Sequence, residues 1–194
     1  MRNLLLTILF FGSLGVIQFS QASGSMTIDA TKGVSRTEIT SDEEREKLSE
    51  TAGLLANYEF TAKKLVDSLN DKAINAEKIN SQANKLLSLS ENVIDSARFR
   101  LPQCDEYLAK TLALKDSLKT ISHDSLEKDY HHDGALPKAP GECYHTKDLF
   151  VHPATVIVLT RDDPKLSEQT KGTIQVEITE VLAHAEVVRQ LVIY

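Results

Sequence analysis

From Ser41 onward apolar residues recur at steps of three and four, with polar residues between them. The stripe runs Leu48, Leu55, Tyr58, Ala62, Leu65, Leu69, then Ala76, Ile79, Ala83, Leu86, Val93 and Ala97. This rhythm marks one face of an amphipathic helix, whereas a strand would alternate every second residue. Ser41 followed by Glu44 has capping-box spacing, and Asp42 and Glu43 place negative charge in the first turn. No Gly or Pro interrupts the chain between Leu54 and Leu101. Two readings fit. One unbroken helix over 41–98 would be about 85 Å long at about 1.5 Å per residue. A turn at Leu69-Asn70-Asp71, with Asn ending one helix and Asp capping the next, gives two matched helices and is preferred.

Leu101-Pro102 opens the next element, with Pro at a first helical position and a stripe of Cys104, Leu108, Leu114, Leu118 and Ile121. This predicts a third helix over 102–128, fading into a loop over 131–146 that holds Gly134, Pro137, Pro140 and Gly141. The β-branched run at 151–160, bounded by Pro153 and Pro164, reads locally as a strand. A lone strand lacks a partner in a helical chain, so a short buried helix is preferred there. Ile174, Ile178, Val181, Ala185, Val188 and Val192 predict a last helix over 165–193. Four helices of similar span make an all-α, four-helix-bundle-like fold, with a long crossover between the third and fourth.

The N-terminus changes the setting. Arg2, an apolar run from Leu4 to about Phe19, and small residues Ser20 and Ala22 form the pattern of a cleaved export signal over 1–22. Residues 23–40 are small and polar and read as a flexible leader, so the bundle domain is 41–194. Export to a periplasmic or secreted location makes Cys104 and Cys143, the only two cysteines, a disulfide pair that pins the crossover. No asparagine begins an N-x-Ser/Thr sequon, in keeping with a periplasm. A net charge of −6 argues against nucleic acid and anionic membrane surfaces as partners. No later segment is long and apolar enough to span a membrane.

Candidate chemistry concentrates in "DYHHDGALPKAPGECYHTKDLFVHP", residues 129–153, which carries four of the six histidines. His131, His132, Asp133, His145 and His152 are imidazole and carboxylate donors of the kind that Zn²⁺, Cu²⁺ or Ni²⁺ prefer. A second candidate set is Glu177, Glu180 and His184, which steps of three and four place along one side of the last helix. The di-metal bundle pattern of two helical Glu-x-x-His pairs is missing, because the one such spacing, Glu142 to His145, falls in the Pro/Gly-rich loop. C-x-x-C-H does not occur, so no c-type haem is expected. G-x-S-x-G does not occur, and Ser122-His123-Asp124 point in different directions on a helix.

The expectation is therefore an exported, non-enzymatic helical binding protein, its ligand a divalent transition metal held by the histidine-rich loop. The alternative is an envelope interaction or scaffolding protein. It would use its long helical face, self-association into a homo-oligomer, or the apolar C-terminus VVRQLVIY.

Overall fold

The computed structural model describes residues 30–194, and the export signal expected over 1–22 lies outside them. Four long helices form the frame: α1 (Asp42–Ser68), α2 (Ala76–Arg100), α5 (Glu142–Asp162) and α6 (Glu168–Val188). Each packs on two others, α2 and α6 both flanking α1 on one side and α5 on the other. The fold is all-α, and no strand occurs among the described residues. No helix among them is long and apolar enough to cross a membrane.

α1 begins with the expected capping box, in which Ser41 accepts from the Glu44 amide and the Glu44 carboxylate accepts from the Ser41 amide. The chain then turns rather than continuing straight. The turn is longer than expected because Asp71 accepts from Ala73 N at 2.8 Å, closing a local loop instead of capping a helix. Asn75 caps α2 in its place, accepting from Lys78 N at 2.9 Å.

The expected third helix over 102–128 does not form as one element. Pro102–Cys104 is a single 3-10 turn, followed by α3 (Asp105–Leu112), a 3-10 stretch over Ala113–Ser117, α4 (His123–Leu126) and a π-turn over Glu127–His131. The apolar step from Leu108 to Leu114 is six residues, which slips off the helical face, and the backbone tightens there. Ser122 then accepts from Ser125 N and starts a new helix.

The third long helix is instead α5, which absorbs residues 142–146 of the expected loop and the whole ambiguous run at 151–160. Every residue from Thr146 to Val158 is buried. A helix enclosed on all sides has no polar face and hence no amphipathic period to read. The crossover therefore lies between the second and third long helices. The Cys104–Cys143 disulfide ties its start to the first turn of α5, with Cα atoms 5.4 Å apart across a separation of 39 residues.

Residues 34–40 run along the bundle as an irregular segment. Thr37 N donates to Arg100 O at the end of α2, and Gln103 donates to Ser35 O. The C-terminal VVRQLVIY does not offer an apolar end: Val188, Leu191 and Val192 are buried, and Tyr194 is the exposed large apolar residue there.

Candidate metal centre

α5 carries three fully buried ionisable side chains on adjacent turns: Lys147, Asp148 and His152. Asp148 and His152 are four residues apart and share a face of the helix. α6 packs antiparallel to α5, setting His184 against His145 and Glu177 against His152. The π-turn brings His131 from the crossover onto the same spot, its ring centroid 4.9 Å from that of His152.

The two sets of candidates thus merge into one cluster. His131 Nδ1 lies 2.8 Å from Glu127 Oε2, and His152 Nδ1 lies 2.6 Å from Glu177 Oε2. His145 and His184 meet Nδ1 to Nδ1 at 2.9 Å, so one ring donates and the other accepts. His184 Nε2 is 3.6 Å from Asp148 Oδ2, and exposed Glu180 reaches within 3.8 Å of His152 Nε2. His132 is exposed and stacks on His131 at 5.2 Å. His123 Nε2 lies 3.7 Å from Glu127 Oε1, so all six histidines belong to one connected group.

At the centre, one atom each from His131, Asp148 and His152 lie within 4.8 Å of one another. Both Asp148 oxygens and His152 Nε2 are buried and make no hydrogen bond. Lys147 Nζ is 3.2 Å from Asp148 Oδ1, but its three protons face Tyr130 O, His131 O and Asp133 Oδ1 at 2.7–3.0 Å. That pair is an ion pair whose geometry falls short of a well-formed hydrogen bond, with charge the larger part of the attraction. Burial, and then the charge of Asp148 and hydrogen bonding to it, raise the nearby Tyr144 hydroxyl. Asp148 is thus a buried carboxylate with an ammonium beside it but no well-formed hydrogen bond to either oxygen, an under-satisfied group in a protein interior.

Electrostatics follow the geometry. Burial pushes the Asp148 carboxyl up, opposed chiefly by the Lys147 ammonium. Burial first, and then the positive charge of His152, hold His184 down to about 3, so its imidazole is neutral at pH 7. Burial also lowers His145. The hydrogen bond to Glu127 raises His131, and the same bond lowers Glu127.

Asp133 stands apart from the centre. Its Oδ1 accepts from Lys147 Nζ at 2.9 Å and from Tyr107 Oη at 2.7 Å. Its backbone has φ of 60°, a left-handed conformation that Asp tolerates at the end of a helical turn. Next to it Gly134 passes so close that a Cβ would meet Lys128 O at 2.5 Å. Lys147, by binding the carbonyls of Tyr130 and His131, fixes the turn that delivers the His131 ring. Asp148 and Lys147 were not among the sequence candidates. The signal for them was a charged pair inside an otherwise apolar run, with Asp148 four residues before His152.

No protein-family model matches the chain, and neither a curated protein nor a solved structure shows significant similarity to it.

Proposed function

We propose that the protein is an exported helical binding protein whose interior holds a divalent transition metal ion through His131, Asp148 and His152, with His184 closing the set. The observation that carries this reading is the Asp148 carboxylate, fully buried with neither oxygen in a well-formed hydrogen bond, beside a His152 Nε2 that also makes none. A dication would satisfy all three atoms at once. Tetrahedral Zn²⁺ with bonds of about 2.0–2.1 Å spaces its ligand atoms about 3.4 Å apart, so closure asks for side-chain shifts of about an ångström.

Support also comes from the atoms behind the ligands. Metal-binding histidines commonly donate their other N–H to a carboxylate, which fixes the tautomer and strengthens the ligand. Glu127 stands in that position for His131 and Glu177 for His152. His184, neutral and bonded through Nδ1 to His145, has Nε2 on the side of Asp148. With both cysteines in the disulfide, the donors are nitrogen and oxygen, a set that suits Zn²⁺, Cu²⁺ or Ni²⁺. The N-terminal signal pattern and the disulfide support an exported location. The scaffolding alternative is less favoured, because the long apolar stripes of α1 and α2 lie in the core.

Calorimetric titration of metal-stripped protein with Zn²⁺ tests the reading. Saturable binding that is lost in Asp148→Asn and His152→Ala, both still helical by circular dichroism, is expected. No saturable binding, or unchanged binding in the two variants, would refute it.

A further inference from the structure

The cluster has an outer end that the interior site does not use. His123, Glu127 and His131 follow one another at four-residue steps along α4 and the π-turn, and so share a face. The extra residue of the π-turn folds the next residue, His132, back onto His131. One atom each from Glu127, His131 and His132 lie within 4.8 Å of one another. Glu127 is bracketed, with Oε2 at 2.8 Å from His131 Nδ1 and Oε1 at 3.7 Å from His123 Nε2. His123 Nε2 is itself buried and makes no hydrogen bond, its contact with Glu127 Oε1 at 3.7 Å being an ion-pair distance only.

His131 belongs to both groups, and the groups differ in access. Asp148 and His152 are fully buried, whereas Glu127 and His131 are half-buried and His132 is exposed. A hydrated dication cannot reach Asp148 directly. It can meet His132 and Glu127 from solvent, exchange waters for those ligands one at a time, and pass the ring of His131 to the inner set.

We infer that Glu127, His131 and His132, with His123 behind them, form a second, outer site for a divalent transition metal that loads the interior one through their common ligand His131. The inference rests on the interior site proposed above. Bound through opposite nitrogens of one imidazole, the two ions would stand about 6 Å apart, given metal–nitrogen bonds of about 2.0 Å. No covalent or redox step is involved. The ion exchanges water and ligand atoms only, and the proton on His131 Nδ1 leaves to solvent when the outer ion binds there.

Stopped-flow mixing of the metal-stripped full chain with Co²⁺, followed by its visible absorption, separates the two sites. Wild type should take up two equivalents in two phases. His132→Ala, a change at an exposed position, should lose the outer equivalent and fill the interior at least tenfold more slowly, to the same final one equivalent. Asp148→Asn should keep the outer equivalent and lose the inner. If His132→Ala matches wild type in rate and stoichiometry, or Asp148→Asn loses both equivalents, the outer site is refuted while the interior site stands. Absence of any Co²⁺ uptake by wild type would overturn both.

Discussion

The hydroxyl of Tyr58 donates to the carbonyl of Leu149 across the bundle, at 2.7 Å. Leu149 is four residues before Pro153, which lies inside α5 and has no N–H to return. Without Tyr58, this carbonyl would be an unsatisfied acceptor in a fully buried helix. α1 thus repairs the one helical hydrogen bond that the α5 sequence cannot make, one turn from His152.

Tyr58→Phe should therefore destabilise the protein by about 1–3 kcal/mol, the usual cost of orphaning a buried polar group. Pro153→Ala restores an N–H at position 153 and should shrink that cost when combined with it. Urea unfolding of the two single variants and the double variant measures the coupling. Equal costs of Tyr58→Phe in both backgrounds would show that the bond does not serve Leu149.

Asp148 makes the opposite case. Its carboxylate is buried with no well-formed hydrogen bond, and burial raises it despite the Lys147 ammonium, so in the metal-free protein its charged form works against the fold. Asp148→Asn removes that charge at nearly constant volume and should raise the unfolding midpoint of metal-stripped protein, even as it removes metal binding. The comparison is made by thermal unfolding with and without a chelator. A lower midpoint for the variant in chelator would show that the Lys147 attraction already offsets the burial of Asp148.

The pH dependence follows from the imidazoles. His184, held down to about 3, resists protonation in the folded chain, and burial lowers His145 in the same direction. Below their ordinary value of about 6.5 the unfolded chain binds protons that the folded chain refuses. Their contribution is complete above that value and is lost as pH falls. His131 has the reverse sign: its value is raised, so its contribution is full below about 6.5 and fades as pH rises through the folded value. Glu127, lowered, supports the fold above about 4.5 and ceases to do so as pH falls through its folded value. The shift of His184 is the large one, so metal-stripped protein should lose stability between pH 6.5 and 4.5, by up to about 2 kcal/mol at pH 5. His184→Asn should flatten this slope in a melting series. A slope unchanged by the substitution would exclude His184 as its source.

How much of this was legible follows from what each helix faces. α1, α2 and α6 each keep a solvent side, so their apolar positions recur with the helical period and their extents could be read closely. α5 keeps none. Thr155, Val156, Ile157 and Val158 look like strand residues, and Pro153 looks like a boundary, because tertiary enclosure overrides local preference and Tyr58 makes the proline tolerable. The histidines were legible as donors, but their meeting was not. His145 and His184 are 39 residues apart, and only the antiparallel register of α5 on α6 makes them neighbours. Asp148 carries no such signal, because Lys147-Asp148 has the sequence of any solvated charge pair and only the fold buries both.

The disulfide ties the crossover to this arrangement and yields the last prediction. Cys143 lies two residues before His145 and four before Lys147, so the bond from Cys104 fixes the first turn of α5 against the start of the crossover. Between those anchors the chain carries Glu127, His131 and His132, and Lys147 reaches back to hold the carbonyls of Tyr130 and His131. Closing a loop of 39 residues removes denatured-state entropy worth about 4 kcal/mol in the loop-closure account. Paired replacement, Cys104→Ser with Cys143→Ser, should lower the unfolding free energy by an amount of that order. It should also weaken Zn²⁺ binding more than it perturbs helix content, because one ligand comes from inside the loop and the others from outside it. Denaturant unfolding, circular dichroism and calorimetry on the same variant check the three quantities together. Undiminished Zn²⁺ affinity in a destabilised variant would mean that Lys147 and the core hold His131 in place without help from the disulfide.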